Sequence, residues 1–400
     1  MFVLSALALT GCTGSVATPS PEPTSAIGDG HGYVAGAEEV PEPPLNLLTL
    51  GADGSVDQLD LLDESWTELG TLDNVTDAVT DGRFVFASDS ASGTVTVIDS
   101  GMWTRDHEDH FHYYRSAPRM VGSIGGTGAA SISVGSSATG IFFAESGETV
   151  VLDNAALGDG TIVENLRLDG APHAGSIVQL GTSTLVTASE DGMPTVVRVL
   201  DSDGNAYAGD AACANAGAPI GTSVGVAYPC AGDVLLATTG EQGVQFERIS
   251  YPDRAVPPAT SFAARENRPS VAGLAGDQGI WLLDTRERTL TLLPTPVPLK
   301  QVTAVDDAEG HILGLTVDGR VIVLAAHGGS TLSTTEPLLP ETIQNADLLA
   351  GVDLVVDQQR AYLNAPGERL LIEIDFADSG RIARTFVTPS IPQFFAETGR

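Results

Sequence analysis

Three histidines and three acidic residues stand together in the segment 106–115, which reads Asp-His-Glu-Asp-His-Phe-His-Tyr-Tyr-Arg. Alternate side chains of an extended strand point to the same side, so a strand here places His110 and His112 on one face. His107 can join them through a turn, and one of the acids can add an oxygen ligand. Neutral imidazole with carboxylate suits Zn²⁺ at neutral pH, although imidazole also binds Cu²⁺ and Ni²⁺. The alternative interpretation of the segment is a charged surface loop.

The four other histidines carry weaker local signals. His31 lies in an N-terminal stretch without apolar periodicity, and His173 stands at the predicted start of a strand. His311 and His327 flank a predicted strand pair and are expected to be structural or surface residues. The sequence contains no nucleophile elbow, no phosphate-binding glycine loop and no His-Glu-x-x-His helix. It therefore offers no catalytic set, and we expect a protein that is not an enzyme.

The N-terminal residues predict export and lipid attachment. Phe2–Leu9 is an apolar run far shorter than the roughly 20 residues of a membrane-spanning helix. It leads into Leu9–Cys12, which resembles a bacterial lipobox whose cysteine carries a diacylglycerol. We predict a lipoprotein signal peptide over 1–12, a lipid on Cys12 that holds the protein at the outer face of the cell membrane, and a Pro- and Ser-rich tether over 13–44. An ordinary signal peptide with a chance cysteine is the alternative, and because no Lys or Arg precedes the apolar run, we expect the natural start to lie upstream.

From about Leu47 onward one pattern repeats: a β-prone run, a turn containing Gly, Asp or Asn, and a second β-prone run. Such pairs predict β-hairpins. The repeat recurs at roughly 40–55 residues, which is the spacing of four-stranded propeller blades. No crossover helix intervenes, which argues against a parallel α/β fold. We therefore predict an all-β fold, a seven-bladed β-propeller over 45–400, with six or eight blades as the alternatives. The predicted hairpins cover 84–99, 141–153, 185–201, 234–246, 272–284, 312–324 and 361–375.

Charge and cysteine count limit the partners and the compartment. The chain carries 52 acidic and 19 basic residues, a formal net charge of −33. Such a surface repels phosphate backbones and anionic headgroups, so nucleic acid is not an expected partner and the lipid is the only expected membrane contact. With Cys12 lipidated, Cys213 and Cys230 remain as a pair in an oxidising compartment, and we expect a structural disulfide between them. Two free thiols and a thiolate metal site are the alternatives.

Segment 106–115 resembles the His-rich segment of the AztD-type zinc metallochaperones, which are exported propeller proteins that work beside a zinc ABC importer. Further matches follow along nearly the whole mature chain, and the His-rich segment is the specific one among them. The other matches are Gly30-His31-Gly32-Tyr33, Ser146-Gly147-Glu148 before a Val-Val-Leu-Asp strand, Pro172-His173, the two cysteines around a small loop, and Glu397-Thr398-Gly399-Arg400.

The resemblance implies a monomeric zinc carrier outside the cytoplasm. The family resemblance implies that the chain binds zinc and passes it by ligand exchange to the solute-binding protein of the importer, which is then the implied partner. The residues implied to handle zinc are four in the His-rich segment, as ligands or as a flexible acquisition arm, then one in a site on the propeller face and one in an N-terminal arm. In that order they are His107, Asp109, His110, His112, His173 and His31.

Two places depart from the family pattern. Ala174 stands where a second histidine often follows the one at 173, and Ala216–Ala218 stands where another commonly follows the first disulfide cysteine. The propeller-face site is therefore expected to be weakened or absent. Two other classes of function stay open. A lipid-anchored interaction propeller predicts no stoichiometric metal, whereas an enzyme predicts a central pocket of converging carboxylates or a bound Ca²⁺.

Overall fold

The structure is a computed structural model, and it describes residues 36–107, 110–189, 191–207, 209–241 and 243–400. Their regular secondary structure is almost entirely β-strand, with two short helices, α1 (Asn154–Gly158) and α2 (Ala346–Ala350), and one 3₁₀ helix, Thr342–Gln344. No helix within them combines the length and the apolar character needed to cross a membrane.

The strands of the first half of the chain form antiparallel neighbours joined by short turns. In chain order they are β1 (Glu38–Val40), β2 (Asn46–Gly51), β3 (Ser55–Asp60), β4 (Trp66–Thr71), β5 (Asp77–Thr80), β6 (Phe84–Asp89), β7 (Thr94–Asp99), β8 (Met102–His107), β9 (His110–Arg115), β10 (Arg119–Gly125), β11 (Ala130–Ser133), β12 (Ala138–Phe143), β13 (Thr149–Asp153), β14 (Glu164–Leu168), β15 (Ile177–Leu180), β16 (Ser183–Ser189), β17 (Pro194–Leu200) and β18 (Ala211–Ala212).

The second half continues the same pattern to the C-terminus. Its strands are β19 (Ile220–Gly221), β20 (Val226–Pro229), β21 (Asp233–Gly240), β22 (Gly243–Ser250), β23 (Ser270–Leu274), β24 (Ile280–Asp284), β25 (Thr289–Leu293), β26 (Leu299–Ala304), β27 (His311–Thr316), β28 (Val321–Ala325), β29 (Thr331–Thr334), β30 (Leu354–Val356), β31 (Ala361–Ala365), β32 (Leu370–Asp375), β33 (Arg381–Val387) and β34 (Pro392–Thr398).

Aspartates at strand ends account for many of the tight turns and for part of the acidity. A carboxylate at the first position of a turn can accept hydrogen bonds from the backbone two or three residues later. Asp89 accepts from the N–H groups of Ala91 and Ser92 in this way. Asp284 and Asp357 each accept from the second and third residues after them. The aspartate in the repeated strand–Asp–turn pattern therefore stabilises the turn that follows each of these strands.

Eight of the nine sheets within the described ranges are the blades of a propeller. From the innermost strand outward they are β34-β2-β3-β4, β5-β6-β7-β10, β11-β12-β13-β14, β15-β16-β17-β18, β19-β20-β21-β22, β23-β24-β25, β26-β27-β28-β29 and β30-β31-β32-β33. In the three-stranded blade an isolated bridge between Ala263 and Ala272 stands where the innermost strand would lie. The predicted all-β propeller is confirmed.

The predicted count of seven blades is wrong by one. Seven blades are continuous in sequence and show as hairpin repeats. The first blade in the order above is different: its innermost strand, β34, comes from the C-terminus, and its other three strands come from near the start of the described chain. Leu48 pairs in register with Ala396 in this sheet. Because the two halves of this blade lie at opposite ends of the sequence, the repeat pattern does not reveal it as a unit.

The ninth sheet is small and lies outside the blades. Its order is β1-β9-β8, and β8 and β9 form an insertion between the third and fourth strands of the second blade. Strand β1 belongs to the segment 13–44 that the sequence predicts to be a tether. Its pairing with β9 brings Glu39 into register with Tyr114.

Successive strands of a blade run in opposite directions, so the links between its first and second strands and between its third and fourth strands meet at one face. That face carries the turn 305–310 between β26 and β27, the turn 357–360 between β30 and β31, and residues 399–400 after β34. The β8–β9 hairpin emerges at the same face, which we call the hairpin face.

The apolar core lies between neighbouring blades. Phe86 and Val97 of the second blade pack with Ile141 and Phe143 of the third, and all four are fully buried. Burying each such side chain contributes on the order of 2 kcal/mol. Because every blade packs on the next in this way, the scaffold under the hairpin face is rigid.

The predicted disulfide between Cys213 and Cys230 is confirmed. Cys213 follows β18, the outermost strand of the fourth blade, and Cys230 follows β20 of the fifth blade. Both residues are buried among apolar side chains. The disulfide therefore links two neighbouring blades.

Candidate metal centre

The base of the β8–β9 hairpin is fixed to the second blade. Trp103 and Tyr114 are buried, and their rings stack with centroids 5.4 Å apart. The Arg83 guanidinium lies over Trp103, 3.8 Å from the ring centroid. Arg83 also donates two hydrogen bonds of 2.9 Å to the fully buried Asp99 carboxylate at the end of β7. This buried ion pair and the aromatic stack hold the start and end of the hairpin.

Residues at the C-terminus hold the hairpin from the other side. The backbone N–H of Thr104 donates to the Arg400 carbonyl at 3.2 Å, and its hydroxyl donates to the Gly399 carbonyl at 2.8 Å. Gly399 has a φ of +98°, and a Cβ there would collide with the Pro44 carbonyl oxygen. Glycine is therefore required where the last strand meets the segment leading into β2.

His110 and His112 form a pair on one side of β9, as the sequence predicts for a strand. Their Nε2 atoms lie 2.9 Å apart, and their rings meet edge to face. In a tetrahedral zinc site with Zn–N bonds of 2.0–2.1 Å, two ligand nitrogens lie about 3.3 Å apart. A small outward movement of the two rings therefore opens a position between the Nε2 atoms that suits a metal ion.

Glu39 orients one ring of the pair. Its Oε1 atom lies 2.7 Å from Nδ1 of His112, so Nδ1–H donates to the carboxylate and the lone pair of His112 stands on Nε2, facing His110. A carboxylate on the far nitrogen is the common second partner of a zinc-bound histidine, because it fixes the tautomer and raises the basicity of the ligand nitrogen. The arrangement thus prepares His112 as a metal ligand.

Some of the predicted zinc residues lie at the end of a described range or outside the described ranges. Strand β8 ends at His107, whose backbone is in register with His110 across the hairpin. Asp109, His31 and the predicted lipid site Cys12 lie outside the described residues. The structure therefore brings the side chains of His110 and His112 together, and it pairs the backbone of His107 with that of His110.

His173 stands apart, in the segment that leads into β15. It is buried, its Nδ1 lies 2.7 Å from the Ala171 carbonyl oxygen and its Nε2 lies 3.0 Å from the Thr187 hydroxyl. Its ring also meets Phe142 edge to face. Both ring nitrogens are thus satisfied by hydrogen bonds, and a metal ion at Nε2 would have to displace the Thr187 hydroxyl.

A second group of potential ligands lies in the turn 305–310 and the first residue of β27. Ligand atoms of Asp307, Glu309 and His311 all lie within 4.8 Å of one another. From sequence His311 is expected to be a structural or surface residue, although the Asp-x-Glu-x-His spacing in a Gly-containing turn is a visible signal of a ligand group. His311 Nδ1 lies 2.6 Å from an Asp307 carboxylate oxygen, so one ring nitrogen is already engaged within the group.

Hydrogen bonds from His311 also favour the ionised form of the Asp307 carboxyl group. Burial acts to raise the pKa of Asp307, but hydrogen bonds from the backbone N–H and the ring of His311 outweigh it, and the pKa lies below its ordinary value. The carboxylate is therefore ionised and held by His311.

Two buried carboxyl groups, one on β34 and one in the turn after β5, have pKa values above the ordinary range. Burial raises the pKa of Glu397 on β34 to about 8, against an opposing effect of Arg400. Burial also raises the pKa of Asp81, in the turn after β5, to about 6. Glu397 is thus largely protonated at neutral pH, which makes it a poor cation ligand.

The described chain is an eight-bladed β-propeller with an inserted hairpin that carries a histidine pair. The sequence matches no protein-family model, and no curated protein is similar to it in sequence. In three dimensions it is similar to apo AztD from Citrobacter koseri, with a TM-score of 0.76 at 19% identity over 88% of this chain and 97% of that chain. A second structure of Citrobacter koseri AztD gives a TM-score of 0.75 at 18% identity over the same shares.

A more distant likeness joins the chain to BamB from Moraxella catarrhalis. The TM-score is 0.50 at 13% identity, over 79% of this chain and 86% of that chain. At these identities the comparisons establish a shared fold. The AztD-type resemblance that the sequence predicts is therefore confirmed in the fold.

Replacing Trp103 by Ala tests whether the buried base positions the histidine pair. The change removes the contacts with Arg83 and Tyr114, so we expect amide hydrogen exchange in 102–115 to accelerate about tenfold, with little change in the blades. Hydrogen exchange followed by mass spectrometry measures this. Phe111, which is 55% exposed, supplies the matched control Phe111→Ala, for which we expect no comparable change. Equal exchange in Trp103→Ala and the unmodified protein would show that the hairpin is held by other contacts.

Proposed function

We propose that this chain is an extracytoplasmic zinc-binding metallochaperone that passes zinc to the solute-binding protein of an ABC importer. The observation that carries the proposal is the pair of Nε2 atoms of His110 and His112, 2.9 Å apart, with Glu39 on the far nitrogen of His112. The likeness in fold to AztD supports it. In this proposal zinc is cargo, bound and released.

The coordination proposed for zinc is built around the pair. His107, in register with His110, is the proposed third ligand, and Asp109 from the turn is the proposed fourth. Two imidazoles, a third imidazole and a carboxylate form a ligand set that suits zinc. His31 is proposed to assist from the N-terminal arm, and His173 to act only if a metal displaces Thr187.

An exposed hairpin suits transfer better than a buried site does. His110 is exposed and projects from a three-stranded sheet outside the blades, so a partner protein can approach the metal without unfolding of the propeller. Ligand exchange requires such access, because the ligands of the receiving protein must replace those of the donor one at a time. We therefore propose a carrier and not an enzyme, acting as a monomer.

The location is part of the same proposal. The protein is proposed to act outside the cytoplasm, anchored to the cell membrane by a lipid on Cys12 and joined to the lipid by a tether. The confirmed disulfide between Cys213 and Cys230 supports an oxidising compartment. A lipid-anchored interaction propeller without stoichiometric metal is the alternative function.

Zinc titration of the purified protein tests the proposal. We expect one tight equivalent, and we expect it to be lost in the triple variant His107/His110/His112→Ala because the variant removes every imidazole of the hairpin. Competition with a chromogenic chelator measures the affinity. Exposed His327 lies outside the hairpin, after β28, and supplies the control His327→Ala, which should bind like the unmodified protein.

Two outcomes of that titration would contradict the proposal. Absence of binding at micromolar zinc would leave the interaction propeller. Loss of the tight equivalent in His311→Ala, with retention in the triple variant, would move the site to the Asp307 group.

Transfer is then followed by mixing the zinc-loaded protein with an apo solute-binding protein. We expect zinc to move to that protein faster than it is released to a chelator.

Glu39→Gln tests the role of the carboxylate behind His112. The amide cannot favour the Nδ1–H tautomer as a carboxylate does, so we expect zinc affinity to fall about 10- to 100-fold without loss of the site. The same chelator competition measures it. Glu38, its neighbour on β1, is exposed and offers the matched control Glu38→Gln. Equal weakening in both variants would indicate a general charge effect.

A further inference from the structure

A cavity of about 670 Å³ opens on the hairpin face, on the other side of β9 from the histidine pair. Phe111 and Tyr113 contribute to its wall, and they alternate along the strand with His110 and His112. A neighbouring cavity of about 490 Å³ shares Arg265, among other residues, with the first. Volumes of this size are typical of sites for small molecules.

Arginine is concentrated in this cavity although basic residues are scarce in the chain. The whole sequence has 19 Lys and Arg residues, and five arginines line the first cavity together with four acidic residues, which are Glu42, Glu266, Asp357 and Glu373. Three of the arginines lie within 4 Å of a buried glutamate carboxyl group. Arg360 and Arg384 pair with Glu373 at 3.2 and 2.6 Å, and Arg400 pairs with Glu397 at 3.0 Å.

The other two arginines, Arg265 and Arg268, have no such partner. Among the described residues, no carboxylate oxygen lies within 4 Å of either guanidinium, the distance at which the other three are paired. Within the described ranges, the guanidinium of Arg265 makes one hydrogen bond, from Nη2 to the Asp306 carbonyl at 3.5 Å. In a chain with a net charge of −33, two neighbouring arginines without a carboxylate are unexpected.

Arg265 is also buried, with an exposed fraction of 9%, and its Nε has no hydrogen-bond partner among the described residues. Burial and the nearby Arg268 lower the pKa of Arg265. Asp306, Asp307 and Asp357 oppose that effect, but in the part of the chain that the structure describes none of their carboxylate oxygens forms an ion pair with Arg265. A buried guanidinium without a counter-charge in direct contact is costly to the fold. A bound anion would supply that counter-charge.

We propose that Arg265 and Arg268 bind the carboxylate or phosphate group of a small anionic molecule whose apolar body lies against Phe111 and Tyr113. The planar guanidinium fork matches the two oxygens of either group. The aromatic wall from β9 supplies a surface for an apolar or aromatic body. The site is independent of the zinc proposal, because it uses none of the proposed zinc ligands.

Isothermal titration with three probes tests the site: inorganic phosphate, phenyl phosphate and benzoate. We expect phenyl phosphate or benzoate to bind at one site with a Kd below about 1 mM, and inorganic phosphate to bind more weakly because it lacks the apolar body. The stronger of the two aromatic probes shows whether phosphate or carboxylate is preferred. Arg265→Gln and Arg268→Gln should each weaken binding about tenfold or more.

Arg254→Gln is the matched control, since it removes one positive charge at an exposed position outside the cavity. It should bind the probes like the unmodified protein. Arg268 is only half-buried, so its variant keeps the test valid if Arg265→Gln fails to fold. Absence of binding of all three probes at millimolar concentration, or equal weakening in Arg254→Gln, would overturn the inference. Zinc stoichiometry should be unchanged in the arginine variants, which separates this result from the zinc proposal.

Discussion

Closure of the propeller ring is the constraint on which the rest of the structure depends. Strand β34 pairs with β2, so the two ends of the described chain complete one blade. The same closure brings both ends to the hairpin: β1, just before β2, pairs with β9, and Gly399, just after β34, accepts a hydrogen bond from Thr104 of β8. The position of the histidine pair is thus tied to the integrity of the ring.

The hairpin combines a rigid base with an accessible tip. Asp99 and Arg83 pair in the interior, and the Arg83 guanidinium rests on Trp103. Toward the tip the side chains become exposed, and His110 and His112 face each other there. A fixed base limits the entropy lost when a metal ion orders the tip, while exposure leaves the ion open to a partner. Both properties suit a protein that carries zinc and gives it up.

Local features of the fold and site were predictable from the sequence, and features built across the chain were not. Alternating β-prone runs with Asp and Gly turns predict the blades, and the spacing of His110 and His112 predicts their shared face. The blade that contains β34 and β2 is not predicted, because these two strands come from opposite ends of the sequence. Glu39 escapes it too, since it lies 73 residues from His112 in a segment whose composition is typical of a tether. Pairing of β1 with β9 overrides that composition.

The central claim is that the hairpin histidines hold zinc. The most direct measurement is an anomalous difference map, recorded at the zinc absorption edge from crystals of the zinc-loaded protein. The account predicts one strong peak about 2.1 Å from Nε2 of both His110 and His112. A peak only beside Asp307, Glu309 and His311, or no peak at either place, would contradict it.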